Sequence, residues 1–215
     1  MNPEPMVFLV DDDPGVRKAL ARLLRAAGHQ VSTFDSAAQF LAAGVTDQPG
    51  CLVLDVRMPE VGGLELQRAL EADNHFRAIV FITGHGDVPT SVRAMKAGAV
   101  DFLTKPVAEE ELLAAVGRAL ERDAEHRRKR EADQVLRDRL ARLSARERQV
   151  FELVTAGLLN KQIGVRLGTG ERTVKLHRAR VMQKLEAQST ADLVRIAERL
   201  GIAAPEVSPL DAKPR

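Results

Sequence analysis

The chain of 215 residues has no tryptophan and no tyrosine. Phenylalanine occurs only seven times, so the 45% of hydrophobic residues available to form a core are almost all aliphatic. Cysteine occurs once, at Cys51, which excludes an internal disulfide and fits a reducing compartment. At the start of an apolar run, Cys51 reads as a small buried side chain and not as a reactive thiol. No apolar run approaches the roughly 20 residues of a membrane-spanning helix. The opening residues, MNPEPM, lack the basic and apolar regions of a signal peptide. A soluble, cytoplasmic protein is the expectation, and 29% of charged residues is ordinary for one.

What is present is unevenly distributed. Residues 1–120 carry 11 Lys/Arg against 16 Asp/Glu, a net of −5, whereas residues 144–200 carry 11 against 6, a net of +5. Residues 121–143 carry 8 against 6 and contain no glycine or proline. The length suits two modest domains, and an acidic half joined to a basic half points to a cation-binding module and a nucleic-acid-binding one.

The acidic half alternates short apolar runs with stretches of helical spacing. Apolar runs at 7–10, 52–55, 79–82 and 100–103 read as buried parallel strands, 31–34 as a further strand, and the stretches at 14–27, 37–42, 62–71, 88–97 and from 109 as helices. Five such repeats predict an α/β doubly wound sheet of five parallel strands. Residues 121–143 predict a solvated connecting helix with Leu136, Leu140 and Leu143 as its apolar stripe. Asp123, Arg127 and Arg130 interrupt the seam that helix pairing with a partner would need.

From Ser144 onward the period is helical throughout. Ser144 and Glu147 form a capping box, Asn160 is placed to cap a helix over 161–167, a third helix spans 171–185, and Ser189 or Thr190 caps a fourth running to 200. The organisation expected is therefore a domain over 1–120, a charged helical linker over 121–143, a small all-α four-helix domain over 144–201 and a disordered tail over 202–215.

Asp11, Asp12, Asp55, Thr83 and Lys105 each close or just follow an apolar run. In an open parallel sheet the site forms at the carboxyl ends of the strands, so these five should converge. Three carboxylates in one crevice repel one another and call for a cation, and oxygen donors suit Mg2+. Lys105 adds a fixed positive charge and Thr83 a hydroxyl donor for a phosphate oxygen. A carboxylate can act as the nucleophile in phosphoryl transfer. Singly, each means little: a strand-end Asp can simply cap the next helix, as Asp13 is placed to do ahead of Pro14.

The segments VFLVDDD, LVLDVRMPEVGG, FITGHGD and AGAVDFLTKP resemble, in order and spacing, the receiver domain of two-component response regulators over about residues 5–120. The resemblance implies a flavodoxin-like fold with Asp55 as phosphoacceptor. It implies Mg2+ held by Asp11, Asp12, Asp55 and the backbone carbonyl of Arg57, Thr83 and Phe102 as switch residues, Lys105 on the phosphoryl group, and a cis bond before Pro106. Phe102 lacks a hydroxyl, so its switching must act through packing. GHGDVP is similar to the FixJ subgroup, which implies a receiver homodimer on phosphorylation.

In the basic half, two helices around Gly168-Thr169-Gly170 form a helix-turn-helix pattern. The second carries Arg172, Lys175, Arg178, Arg180 and Lys184, with Lys175, Arg178 and Ala179 assigned to one face and Val174, Val181 and Leu185 to the core side. Such a basic face neutralises DNA phosphates and reaches base edges in the major groove. Residues 141–201 resemble the LuxR/NarL-type DNA-binding domain. By position, the resemblance implies Lys175, Leu176 and Ala179 at base-reading places and Lys161, Thr173 and His177 near the phosphate backbone. His177 could equally make a structural polar contact. Three departures stand out: Ala179 is short, which limits base reading there to van der Waals contact; Gly170 replaces the usual Ser ahead of the recognition helix; and Gly164 stands where Ala is usual, at about 1 kcal/mol in helix propensity.

The function expected is a DNA-binding transcriptional regulator, not an enzyme, that takes a phosphoryl group from a sensor histidine kinase, dimerises and binds promoter DNA. RNA polymerase is left open as a further partner. A phosphatase with an aspartate nucleophile is the rival; it needs an acid/base Asp two residues after the nucleophile, and Arg57 stands there. A degenerate receiver, activated without phosphorylation, is disfavoured by the intact set of five.

Overall fold

The computed structural model describes residues 4–72, 75–84, 88–203 and 205. The chain divides into two compact units, 1–128 and 129–215. The first is built from β1 (Met6–Val10), α1 (Pro14–Ala26), β2 (Gln30–Phe34), α2 (Ala37–Ala42), β3 (Gly50–Asp55), α3 (Gly63–Ala72), β4 (Ala78–Thr83), α4 (Val88–Lys96), β5 (Asp101–Thr104) and the first part of α5 (Glu109–Ala141). The five strands are parallel in the order β2-β1-β3-β4-β5. This is the doubly wound, flavodoxin-like sheet expected from the alternation of apolar runs and helices.

Side-chain alternation along each central strand supplies a core on both faces. Val7, Leu9, Val53, Val80 and Ile82 pack with α1 and the start of α5, through Leu20, Leu24, Leu112 and Val116. Phe8, Val10, Leu52, Leu54 and Phe81 point the other way, against Phe40, Leu66, Leu70 and Ala94 of α2, α3 and α4. The order β2-β1-β3 reverses direction at β1, so the crevice beyond β1 and β3 opens where the two layers part.

Residues 121–141 belong to α5, without a break after the apolar face that packs on the sheet. The segment is expected to be solvated outside its stripe of leucines, but Asp123 is only 3% exposed. Its Oδ2 accepts hydrogen bonds from Gly50 N (2.9 Å) and Arg127 Nε (2.8 Å). Arg127 in turn donates to the carbonyls of Asp47 (2.9 Å) and Gln48 (2.6 Å). Beneath them, the buried Arg77 donates to the carbonyls of Val45, Thr46 and Gln48 and lies over the Phe8 ring. Burial pulls its guanidinium down to about 10, with Asp123 opposing. The charges at 123 and 127 thus serve the loop at 45–50, Asp123 accepting from its Gly50 amide and Arg127 donating to its Asp47 and Gln48 carbonyls.

The second unit adds α6 (Ala145–Thr155), α7 (Asn160–Arg166), α8 (Glu171–Leu185) and α9 (Thr190–Arg199) to the end of α5. Leu140 is buried with Val150, Phe151, Ile163, Val174, Val181, Leu185 and Leu193, and Leu143 packs against them. The last leucines of the expected linker are therefore part of this core. The capping box at Ser144 and Glu147 forms, and Ser189 is the N-cap of α9. Asn160 does not cap α7. The N-cap is Leu159, whose N–H donates to Gln162 Oε1 (2.7 Å), which leaves the Asn160 side chain free of that duty. Most of the expected tail, 204 and 206–215, lies outside the described residues.

Candidate functional sites

The crevice at the carboxyl edge of the sheet is built by strand ends that stop in register. β3 ends at Asp55, β4 at Thr83, and β1 runs directly into Asp11. Lys105 follows β5, and its N–H donates to the Thr83 carbonyl (2.7 Å). The Lys105–Pro106 bond is cis, as expected. Gly63 opens α3 hard against the end of β3, since a Cβ there would stand 2.3 Å from the Asp55 carbonyl oxygen. Only glycine lets α3 approach β3 this closely.

Lys105 Nζ bridges the cleft, 2.7 Å from Asp11 Oδ2 and 2.8 Å from Asp55 Oδ2. Asp11 and Thr83 are fully buried, Asp55 is 6% exposed and Asp12 is open to solvent. The remaining oxygens accept backbone amides: Asp13 N on Asp11 Oδ1 (2.9 Å) and Arg57 N on Asp55 Oδ1 (3.2 Å). Arg17, not anticipated from the sequence, donates to the Asp11 carbonyl (2.5 Å). Asp13 caps α1 instead of joining the cluster, accepting Gly15 N and Val16 N. Phe102 is half-buried beside Phe81, with ring centroids 6.3 Å apart.

Asp11, Asp12 and Asp55 each offer an oxygen within 4.8 Å of the other two. Burial drives the Asp11 carboxyl above its ordinary value despite the bonds from Lys105 and Asp13. Lys105 is held above its own value because, although burial works against the ammonium, the bonds to Asp11 and Asp55 outweigh it. One ammonium among three carboxylates leaves negative charge that a hard divalent cation would neutralise, and the donors are all oxygens, as Mg2+ requires.

The second site is the outer face of α8. Thr173, Lys175, Leu176, Ala179 and Arg180 are exposed on it, as is Lys161 on α7. Lys175 Nζ rests 3.1 Å from Glu171 Oε1, one turn back. Gly170, the N-cap of α8, has no side chain to accept an amide. Gly164 is buried against the turn, and a Cβ there would lie 2.8 Å from the Thr169 carbonyl, which accounts for glycine at that position. His177 is half-buried, and its Nδ1 has no hydrogen-bond partner among the described residues.

Arg178 is not on the outer face. It follows Val174 by four residues and precedes Val181 by three, which places it at the edge of the inward stripe. Its guanidinium donates to Asn160 Oδ1 (3.2 Å) and to Thr190 Oγ1. Lys184 is also turned inward, to Glu147 Oε2 (2.6 Å) and the Arg142 carbonyl (3.0 Å). The basic count of α8 concealed this. The spacing from Val174 and Val181 was the signal that separates Arg178 from Lys175 and Ala179.

A doubly wound sheet with an acidic cluster and a lysine at its carboxyl edge, in one chain with a basic helix-turn-helix, defines a receiver coupled to a DNA-binding module. The chain belongs to the response regulators: residues 7–117 match the response regulator receiver domain, and residues 141–197 match the luxR family of bacterial regulatory proteins. It is 48% identical over 199 residues to nodulation protein W of Bradyrhizobium diazoefficiens, covering 93% of this chain and 88% of that one. It is 48% identical over 197 residues to the transcriptional regulatory protein FixJ of Azorhizobium caulinodans, covering 92% and 93%. Among solved structures, the response regulator StyR superposes with a TM-score of 0.78 at 50% identity, over 92% of this chain and all of that one. Full-length FixJ from B. japonicum gives 0.56 at 42% identity over 93% and 98%. The protein is thus a DNA-binding response regulator of the FixJ kind. Receiver domains bind Mg2+ at an acidic cluster, and this chain carries one at Asp11, Asp12 and Asp55. No helix among the described residues is long and apolar enough to cross a membrane.

Proposed function

We propose that Asp55 is the phosphoacceptor of a transcriptional switch and that a sensor histidine kinase is the donor. A carboxylate oxygen of Asp55 attacks the phosphorus of the phosphohistidine, the N–P bond breaks, and the imidazole leaves with the electron pair. The observation that carries this is the bridge from Lys105 Nζ to Asp55 and Asp11 at one strand edge. Asp11, Asp12, Asp55 and the backbone carbonyl of Arg57 would hold Mg2+, which when bound supplies charge neutralisation for the transferring group. Lys105 draws negative charge toward Asp55, and Thr83, at the end of β4, offers its hydroxyl to a phosphoryl oxygen. Phosphorylation replaces one carboxylate charge with about two negative charges, which favours a shift of Lys105 and Thr83 toward the new oxygens. Phe102, already half out of the core, is free to repack.

The output is DNA binding by a homodimer. Val88, Val92 and Met95 are exposed along one side of α4 at spacings of four and three, on a helix that packs against β5, and would supply an apolar dimer face. Residues 85–87 of the GHGDVP motif lie outside the described residues. In the dimer two α8 helices would meet half-sites about one helical turn apart, with Lys175, Leu176 and Ala179 toward the bases and Lys161, Thr173 and His177 toward the backbone. RNA polymerase would be the downstream partner, in the cytoplasm.

The test is Asp55→Asn. With acetyl phosphate and Mg2+, the wild-type chain is expected to gain one phosphoryl group by intact-mass spectrometry, and the variant none. Equal labelling of the variant would overturn the assignment.

A further inference from the structure

The recognition helix carries a basic residue whose work is mechanical. α8 has no side-chain cap at its start, because Gly170 stands at the N-cap. Its inward stripe, Val174, Val181 and Leu185, is wholly apolar and buried. Apolar contacts are non-directional, so by themselves they leave the rotation of a helix about its own axis weakly determined. Two charged side chains flank that stripe. Lys184, on one side, reaches Glu147 Oε2 and the Arg142 carbonyl. Arg178, on the other, spreads its planar guanidinium between Asn160 Oδ1 at the start of α7 and Thr190 Oγ1 at the start of α9. Asn160 is available because it is not the N-cap of α7, and Thr190 because Ser189 caps α9.

We propose that Arg178 is a positioning residue that fixes the rotation of α8 against α7 and α9, and that it makes no contact with DNA. Directional donors on a rigid fork suit this task, and a lysine ammonium cannot span the same two acceptors. The angle at which Lys175, Leu176 and Ala179 are presented then depends on the fork. The inference rests on α8 being the reading helix.

The experiment uses the full-length chain with Mg2+ and beryllofluoride, and a DNA site selected from a random-sequence pool by that same protein. Arg178→Lys keeps the charge and removes the fork. It is expected to weaken binding to the selected site about tenfold, the scale of a lost ionic hydrogen bond, while affinity for random-sequence DNA stays unchanged. Its slope of log affinity against log salt also stays at the wild-type value. The doubly substituted Asn160→Ala, Thr190→Val chain, which removes the acceptors without touching α8, should show the same loss of specificity. A simple loss of folded protein would lower both affinities together, so their ratio isolates positioning, and circular dichroism melting checks that each variant is folded.

Two results overturn the proposal. One is Arg178→Lys binding the selected site like wild type. The other is Arg178→Gln lowering both affinities alike with a salt slope smaller by about 0.9, the mark of a lost phosphate contact. Lys175→Ala is the control for the premise: if it leaves site affinity unchanged, α8 is not the reading helix, whatever Arg178 does.

Discussion

At the scale of single residues, both units use an acid and a lysine in close contact, with opposite consequences. In the cleft the pair is crowded by two further carboxylates, and Lys105 is shared between Asp11 and Asp55. In the DNA-binding unit Glu147 has Lys184 largely to itself, together with the Ser144 N–H at 2.8 Å. The Lys184 bond first, and the Ser144 amide second, hold the Glu147 carboxyl down to about 2, well below its ordinary 4.5. A group depressed in the folded state stabilises the fold fully above its unfolded value, and that contribution disappears as pH falls through the folded one. The stability of residues 129–203 is therefore expected to drop between about pH 4.5 and 2. Glu147→Gln should flatten that part of the profile and cost about 1.5–3 kcal/mol at neutral pH, the range for a hydrogen bond to a charged group. Urea titrations followed by circular dichroism at several pH values check both, and an unchanged acid limb in the variant would remove Glu147 as its source.

At the scale of elements, the strands and helices of the receiver were legible because each buried strand is a short apolar run bounded by polar or glycine residues. β5 shifted by one residue, to Asp101–Thr104, within the blur at any strand end. The gathering of Asp11, Asp12, Asp55 and Lys105 at one edge was legible for the same reason, since a parallel sheet brings its carboxyl ends together. Asp123 was not. A carboxylate amid the charges of 121–143 looks solvated in sequence, and only the loop at 45–50, distant along the chain, makes it a buried acceptor. Arg178 was legible in principle, but net basicity masked its place on the wheel. Asp123→Ala is expected to cost about 3–5 kcal/mol, the range for breaking one partner of a buried pair. It leaves the Gly50 amide and the Arg127 Nε without their acceptor. Asp123→Asn keeps an oxygen for Gly50 and should recover part of that loss. Chemical denaturation followed by a probe in the receiver, such as exposure of the buried Cys51 thiol to a labelling reagent, measures it. Equal loss in both variants would show that charge, not the amide acceptor, is what matters.

At the scale of the whole molecule, the proposed function requires that phosphate in the cleft become affinity at α8, and the proposed means is mass action between two chains. A dimer places two basic faces on one site, so the second engages at an effective concentration set by the first. The coupling then stands or falls with the α4 face. Val92 is 43% exposed there, so Val92→Glu changes the surface with little effect on folding, within about 0.5 kcal/mol. Buried at a self-complementary contact, however, each glutamate would meet its symmetry mate or lose its water, and either disfavours the dimer strongly. With beryllofluoride and Mg2+, wild type is expected to sediment as a dimer and to bind its selected DNA more tightly than untreated protein. Val92→Glu should still take up acetyl phosphate label on Asp55, remain monomeric, and show no gain in DNA affinity. Retention of the dimer in that variant would place the interface elsewhere. A monomer that nevertheless gained affinity would show that phosphate acts on α8 within one chain, and the dimer would then be incidental to the switch.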